Sequence, residues 1–110
     1  MQTLIIKGTL WLENSRGQVI GPGKKKLLNA IQATGSIKSA AKKMKMSYRH
    51  AWEMVNSINR SYPKPLIKKA VGGAKGGGTM LTEDGKKLIS IYESLFKEFE
   101  KFKKKSNKQI

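Results

Sequence analysis

The 110-residue chain carries 23 Lys or Arg against 7 Asp or Glu, one His and no Cys, for a formal net charge of +16. That length holds one domain, residues 1–110, around a single modest core, too small for a large catalytic cleft. Without Cys there is no disulfide, thiolate zinc site or thiol nucleophile, and a single imidazole makes a metalloenzyme improbable, so no enzyme, cofactor or metal is expected.

No apolar run approaches the ~20 residues that cross a bilayer. The opening MQTLIIKG has neither a basic leader nor a small-residue cleavage site, so a cytoplasmic protein with no membrane partner is expected. The charge is regional. Lys24 to Lys75 holds 13 basic residues and one acid, Glu53, whereas the flanking segments are nearly balanced. Lysine on solvated faces explains part of such an excess, but not why acids are missing from the middle alone; a polyanionic partner is implied.

Along the chain, Thr3 to Leu12 is rich in β-branched and bulky apolar residues and predicts a strand. Asn14-Ser15-Arg16-Gly17 is turn chemistry before a second short strand at Val19-Ile20. Leu27, Leu28, Ala30 and Ile31 then recur at helical spacing until Thr34-Gly35, a stop. Ser36 can cap a short second helix with Ile37, Ala40, Ala41 and Met44 on its apolar side. After Lys45-Met46, Ser47 caps a third helix whose buried side is Tyr48, Ala51, Val55, Ile58 and Tyr62, ending before Pro63. Residues 65–81 read as a hairpin with a glycine-rich tip, and Thr82 caps a last helix over 83–105, with Glu83 and Asp84 against its N-terminal dipole. The tail SNKQI is expected to fray.

The order β-β-α-α-α-β-β-α, mainly helical with small β elements, predicts a winged helix-turn-helix: helix-turn-helix over 36–61, wing over 65–81, and a long C-terminal dimerisation helix. Two short helices joined by a tight turn, the second capped by Ser, carry the signal. Opposite Ala51, the third helix presents Arg49, Glu53, Asn56, Ser57 and Arg60, with His50 at the edge. Arg49 suits guanine O6 and N7, Asn56 suits adenine, Ser47 and Tyr48 suit phosphates or base edges, and Arg60 suits the backbone. Ser36 and Lys38 join them at the start of the preceding helix. Tyr48 and Trp52 stand four residues apart, and the sequence leaves open whether they seal the core edge instead. At the tip, GGAKGGG matches no nucleotide-binding pattern; Lys75, Gly76 and Gly77 are read as a wing in close approach to phosphate, against the simpler reading of a flexible loop.

In the last helix Leu88, Tyr92, Leu95, Phe99 and Phe102 alternate by four and three residues, with Phe96 beside them. A helix of that length spans roughly 34 Å at 1.5 Å per residue, more than a core of this size covers. A homodimer interface is expected there, with double-stranded DNA as the other partner.

The stretches GSIKSAAKKMKMSYRHAW, PLIKKAVGGAKGGG and MLTEDGKKLISIYESL resemble the N-terminal DNA-binding domain of the molybdate-responsive ModE transcription regulators and, more distantly, the LysR-type winged helix. The resemblance runs from about Leu4 to Phe102. It implies a dimeric winged helix-turn-helix on palindromic operators, with Ser47, Tyr48 and Arg49 as recognition-helix contacts and Lys75 with its glycines as the wing. Two departures stand out. Lys45 replaces the glycine usual in the helix-turn-helix turn, so either the turn geometry differs or Lys45 adds a phosphate contact. The sequence up to Ile110 also has no counterpart of the family's molybdate-binding domains, and molybdate sensing is not expected of these residues. The competing readings are a non-specific architectural nucleic-acid-binding protein, for which the charge suffices, and a winged helix that serves only protein interaction.

Overall fold

Gly21, Ser36, Ser47 and Thr82 stand at the N-termini of four helices: α1 (Pro22–Thr34), α2 (Ile37–Lys43), α3 (Tyr48–Arg60) and α4 (Glu83–Lys105). The computed structural model describes residues 2–70 and 78–109. Among the described residues six short strands complete it: β1 (Thr3–Leu4), β2 (Leu12–Asn14), β3 (Gly17–Ile20), β4 (Ile67–Ala70), β5 (Gly78–Leu81) and β6 (Lys108–Gln109). They form three antiparallel pairs, β1 with β6, β2 with β3 and β4 with β5.

The hydroxyl caps behave as their positions require. Ser36, Ser47 and Thr82 each accept from the N–H three residues on, which satisfies one of the donors a helix start leaves free. Between α2 and α3 the chain turns through Lys45, which takes a left-handed φ of 56°. Met46 N–H donates back to Ala41 O at 3.0 Å and Lys45 N–H to Lys42 O at 3.1 Å, the paired bonds of a Schellman turn. The turn geometry that glycine would give is thus kept with a lysine.

Two expectations at the ends of the chain are corrected. The strand expected over Thr3 to Leu12 is interrupted, with only Thr3–Leu4 and the segment from Leu12 paired. Between them the chain runs along α4: a Cβ built on Gly8 would lie 3.3 Å from Phe99 Cζ, and Lys103 Nζ donates to Gly8 O at 3.4 Å. The tail expected to fray pairs instead, Lys108 with Leu4 and Gln109 with Thr3.

The core joins α1, α2 and α3 to the first half of α4, with Ile20, Leu27, Leu28, Ile31, Ile58, Leu66, Leu81 and Tyr92 fully buried. Two close approaches lock the wing hairpin onto it. Gly78 lies under Gly35, whose carbonyl accepts from Thr79 N–H at 2.8 Å, and Gly85, in the first turn of α4, packs against the Leu66 carbonyl.

α4 divides the single apolar stripe read from its sequence. Tyr92, expected at a dimer interface, is 1% exposed and its hydroxyl donates to Leu10 O at 2.8 Å, so it belongs to the chain's own core. Phe99 lies against Gly8 and carries the Lys103 ammonium 5.0 Å above its ring, Leu88 packs on the core, and Phe96 stacks on Tyr92. Ile91, Leu95 and Phe102 remain exposed on an adjoining face about a quarter turn away. The N-terminal arm, absent from a helical-wheel argument, covers the first face and leaves the second. Among the described residues no helix is long and apolar enough to cross a membrane.

Candidate nucleic-acid interface

α3 buries Ala51, Val55 and Ile58 and turns its opposite side to solvent. Ser47 spends its hydroxyl oxygen as acceptor on His50 N–H, which fixes the start of the helix. From that start the exposed side carries Tyr48, Arg49, His50, Glu53, Asn56 and Arg60. The Arg49 side chain is 90% exposed; its Nε lies 3.5 Å from Glu53 Oε1, and His50 Nδ1 lies 4.0 Å from Glu53 Oε2. One carboxylate therefore stands between the Arg49 guanidinium and the His50 imidazole. In an exposed i,i+4 pair this restrains Arg49 by only ~0.5 kcal/mol, leaving the guanidinium able to swing to another acceptor.

Ser36 and Lys38 sit at the start of α2, Ser36 half-buried with its oxygen engaged by Ser39 N–H and Lys38 exposed. Tyr48 is exposed and meets Trp52 edge-on, ring centroids 6.2 Å apart. Trp52 is 38% exposed, so it does not seal the core as a buried residue. Lys75, Gly76 and Gly77 lie outside the described residues. Among the described residues, no three His, Cys, Asp or Glu gather where a metal ion could be held.

Several positioning groups have no signature in the sequence. Asn59 Oδ1 accepts from Leu66 N–H at 2.9 Å and Ile67 N–H at 3.0 Å, while its Nδ2 donates to Ile67 O at 3.1 Å, tying α3 to the first wing strand. At the end of α3, Asn14 Nδ2 donates to Ser61 O at 2.6 Å and Arg16 Nη1 to Arg60 O at 3.3 Å. These satisfy carbonyls that a helix end leaves free and set a positive charge against its dipole. Asn14 and Arg16 are readable as turn residues, but their target is 44 or more residues away.

No family model matches the sequence. The chain is 36% identical over 89 residues, 81% of its length, to the molybdenum transport protein ModE of Azotobacter vinelandii. It is 42% identical over 76 residues to the transcriptional regulator ModE of Haemophilus influenzae and 39% identical over 74 residues to the DNA-binding transcriptional dual regulator ModE of Escherichia coli. It spans about a third of the length of these relatives, 33%, 30% and 28%. They are named for transport and regulation, none for catalysis.

Among solved structures, a MepR variant from S. aureus matches 74% of this chain and 62% of its own, with a TM-score of 0.59 at 22% identity. A LysR family transcriptional regulator matches 71% of this chain and 25% of its own, with a TM-score of 0.55 at 17% identity. At such identities these share the fold alone. The chain is therefore a winged helix-turn-helix homologous to the ModE transcriptional regulators over about a third of their length.

Proposed function

We propose that this domain binds double-stranded DNA as a homodimer on a two-fold operator and regulates transcription. The observation that carries the reading is the exposed side of α3, where Arg49 and Asn56 project from a capped helix within the basic half of the sequence. The major groove admits such a helix, and Arg49 meets guanine once it leaves Glu53. Ser47 and Tyr48 contact phosphates or base edges near the helix start, Asn56 reads adenine, and His50 and Glu53 border the read bases. Arg60, Ser36 and Lys38 meet the backbone, as do Lys75, Gly76 and Gly77 of the wing tip. Two linked recognition helices require a partner copy, for which the exposed Ile91, Leu95 and Phe102 of α4 supply an apolar face; Phe96, also exposed, lies across Tyr92 from that face and would join the interface only from its far side.

Selection of bound duplexes from a random pool tests this. A recovered sequence with two half-sites about one helical turn apart is expected. Arg49→Ala should weaken binding to it by about 1–3 kcal/mol and relax preference at one position per half-site. A pool that stays random would favour the architectural reading, for which charge alone suffices. No salt-sensitive binding at all would leave protein interaction as the role of the fold.

A further inference from the structure

An open groove of about 220 Å³ separates α3 from the first wing strand, and its lining includes Trp52, Asn56, Lys68 and Lys69. Its floor is apolar, from the buried Val55 and Ile67. Its walls differ: the indole of Trp52, edge-on to Tyr48, stands on the helix side, and the strand side carries the exposed Lys68 and Lys69, whose side chains leave opposite faces of β4 so that one of them turns toward the groove. No carboxylate is among the lining residues, and the one acid of α3, Glu53, is turned to Arg49 and His50. Asn59 also lines the groove, and its three bonds to Leu66 and Ile67 fix the groove's width.

An apolar floor, a flat aromatic wall and a cationic wall side by side match a ligand with an apolar ring next to a negative charge. A free small anion uses only the lysines. A deoxyribose and its phosphate use all three, because the sugar face packs on indole and apolar floor while the phosphate meets ammonium. The groove also lies between recognition helix and wing, the two elements that flank a duplex strand in the proposed complex, so that strand is the occupant its position favours. We propose that this groove seats one backbone nucleotide of bound DNA, with Trp52 against its deoxyribose and Lys68 or Lys69 on its phosphate. This rests on the DNA-binding reading and adds to it a contact beside the recognition face and the wing tip.

The test uses the intact protein and a random-sequence duplex of about two helical turns, with binding read by fluorescence anisotropy across a salt series. Absence of salt-dependent binding by the unmodified protein would overturn the DNA reading itself. Given binding, replacing Lys68 and Lys69 together by Ala should reduce the slope of log affinity against log salt by about 0.9 for each phosphate that these ammonium groups neutralise. Trp52→Ala should weaken binding several-fold with the slope unchanged, and Trp52→Phe should recover most of the loss. Because the groups hold one nucleotide, the combined variant should lose less than the sum of the two. A slope unchanged by the lysine replacements, or full additivity, overturns the groove.

Fluorescence gives a readout independent of those variants. The chain has two Trp, so Trp11→Phe leaves Trp52 as the sole indole. Saturating duplex should shield it from acrylamide, and an indole still fully quenched in the complex overturns the proposal.

Discussion

Asn59 pairs with Ile67 as one strand pairs with another, its side-chain amide accepting from the N–H at 3.0 Å and donating to the carbonyl at 3.1 Å. A third bond, from Leu66 N–H, completes the junction of α3 and β4. Asn59→Ala leaves two backbone N–H groups and a carbonyl without these partners in a part-buried place, so a loss of about 2–3 kcal/mol is expected in urea unfolding. Asn59→Asp keeps both acceptor bonds but turns a donor into a charge facing the Ile67 carbonyl. Its stability should fall between the two, and stability equal to that of the unmodified protein would refute the junction's role.

Lys45 holds a left-handed backbone that costs a non-glycine residue about 1–2 kcal/mol. Glycine removes that strain and costs about 0.5–1 kcal/mol in unfolded-chain entropy. Lys45→Gly should therefore stabilise the domain slightly, by up to about 1 kcal/mol, seen as a higher thermal midpoint. Lys45→Val, whose branched Cβ tolerates this φ worst, should lower it.

Gly85 sets two effects in opposition. By helix propensity alone, Gly85→Ala in α4 would gain about 1 kcal/mol. An added Cβ, however, collides with the Leu66 carbonyl, a backbone atom that also accepts from Thr82 N–H. Overpacking of this kind costs about 1–3 kcal/mol, and the backbone cannot yield without loosening the Thr82 cap. Net destabilisation is expected, and a stabilised variant would show that the segment before β4 moves freely.

The two faces of α4 should respond differently to charge. Replacing Leu95 and Phe102 by Asp alters only exposed positions. The unmodified protein should sediment as a dimer at micromolar concentration and this variant as a monomer with its helical circular dichroism retained. Tyr92→Asp, within the core, should unfold the domain instead. A monomeric unmodified protein would leave the Ile91, Leu95 and Phe102 face without the partner proposed for it.

Burial raises the Tyr92 phenol above its ordinary pKa of 10.0. The unfolded chain then loses this proton at lower pH than the folded one, so the stability it contributes is complete below about pH 10 and falls as pH climbs through the folded value. Burial shifts Lys24 the other way, below 10.5, but that effect is common to the protein and its Tyr92→Phe variant. The variant should be less stable at neutral pH by about 1 kcal/mol for the missing bond to Leu10, and the gap should narrow in alkali. A constant gap between pH 8 and 11 contradicts this.

The helices were legible because their signals are local. Ser36, Ser47 and Thr82 cap as read, Gly35 stops α1, and the order of the four main helices and the wing strands follows. What could not be read is whatever depends on distant backbone. The path of residues 5–11 along α4 and the pairing of Lys108 with Leu4 join opposite ends of the chain, and no periodicity encodes them. The same holds at the interface. The exposed side of α3 follows from a 3.6-residue repeat, whereas Asn59, which looks like one more polar residue on that helix, is identified only by the strand it binds. The departure at Lys45 was visible, but its outcome was not, since a lysine and a glycine can occupy one backbone geometry at different cost.

Because Thr3 pairs with Gln109 and Leu4 with Lys108, these two distant segments of the sequence meet at one corner, beyond the last turn of α4. Strands so paired lie about 5 Å apart, a gap that a linker of a few residues bridges without crossing the core. A joined chain reopened at a surface loop would keep every helix cap and the seating of the wing on the core, and sequence attached to either end would leave the molecule from the same point, moving with α4 as its lever arm.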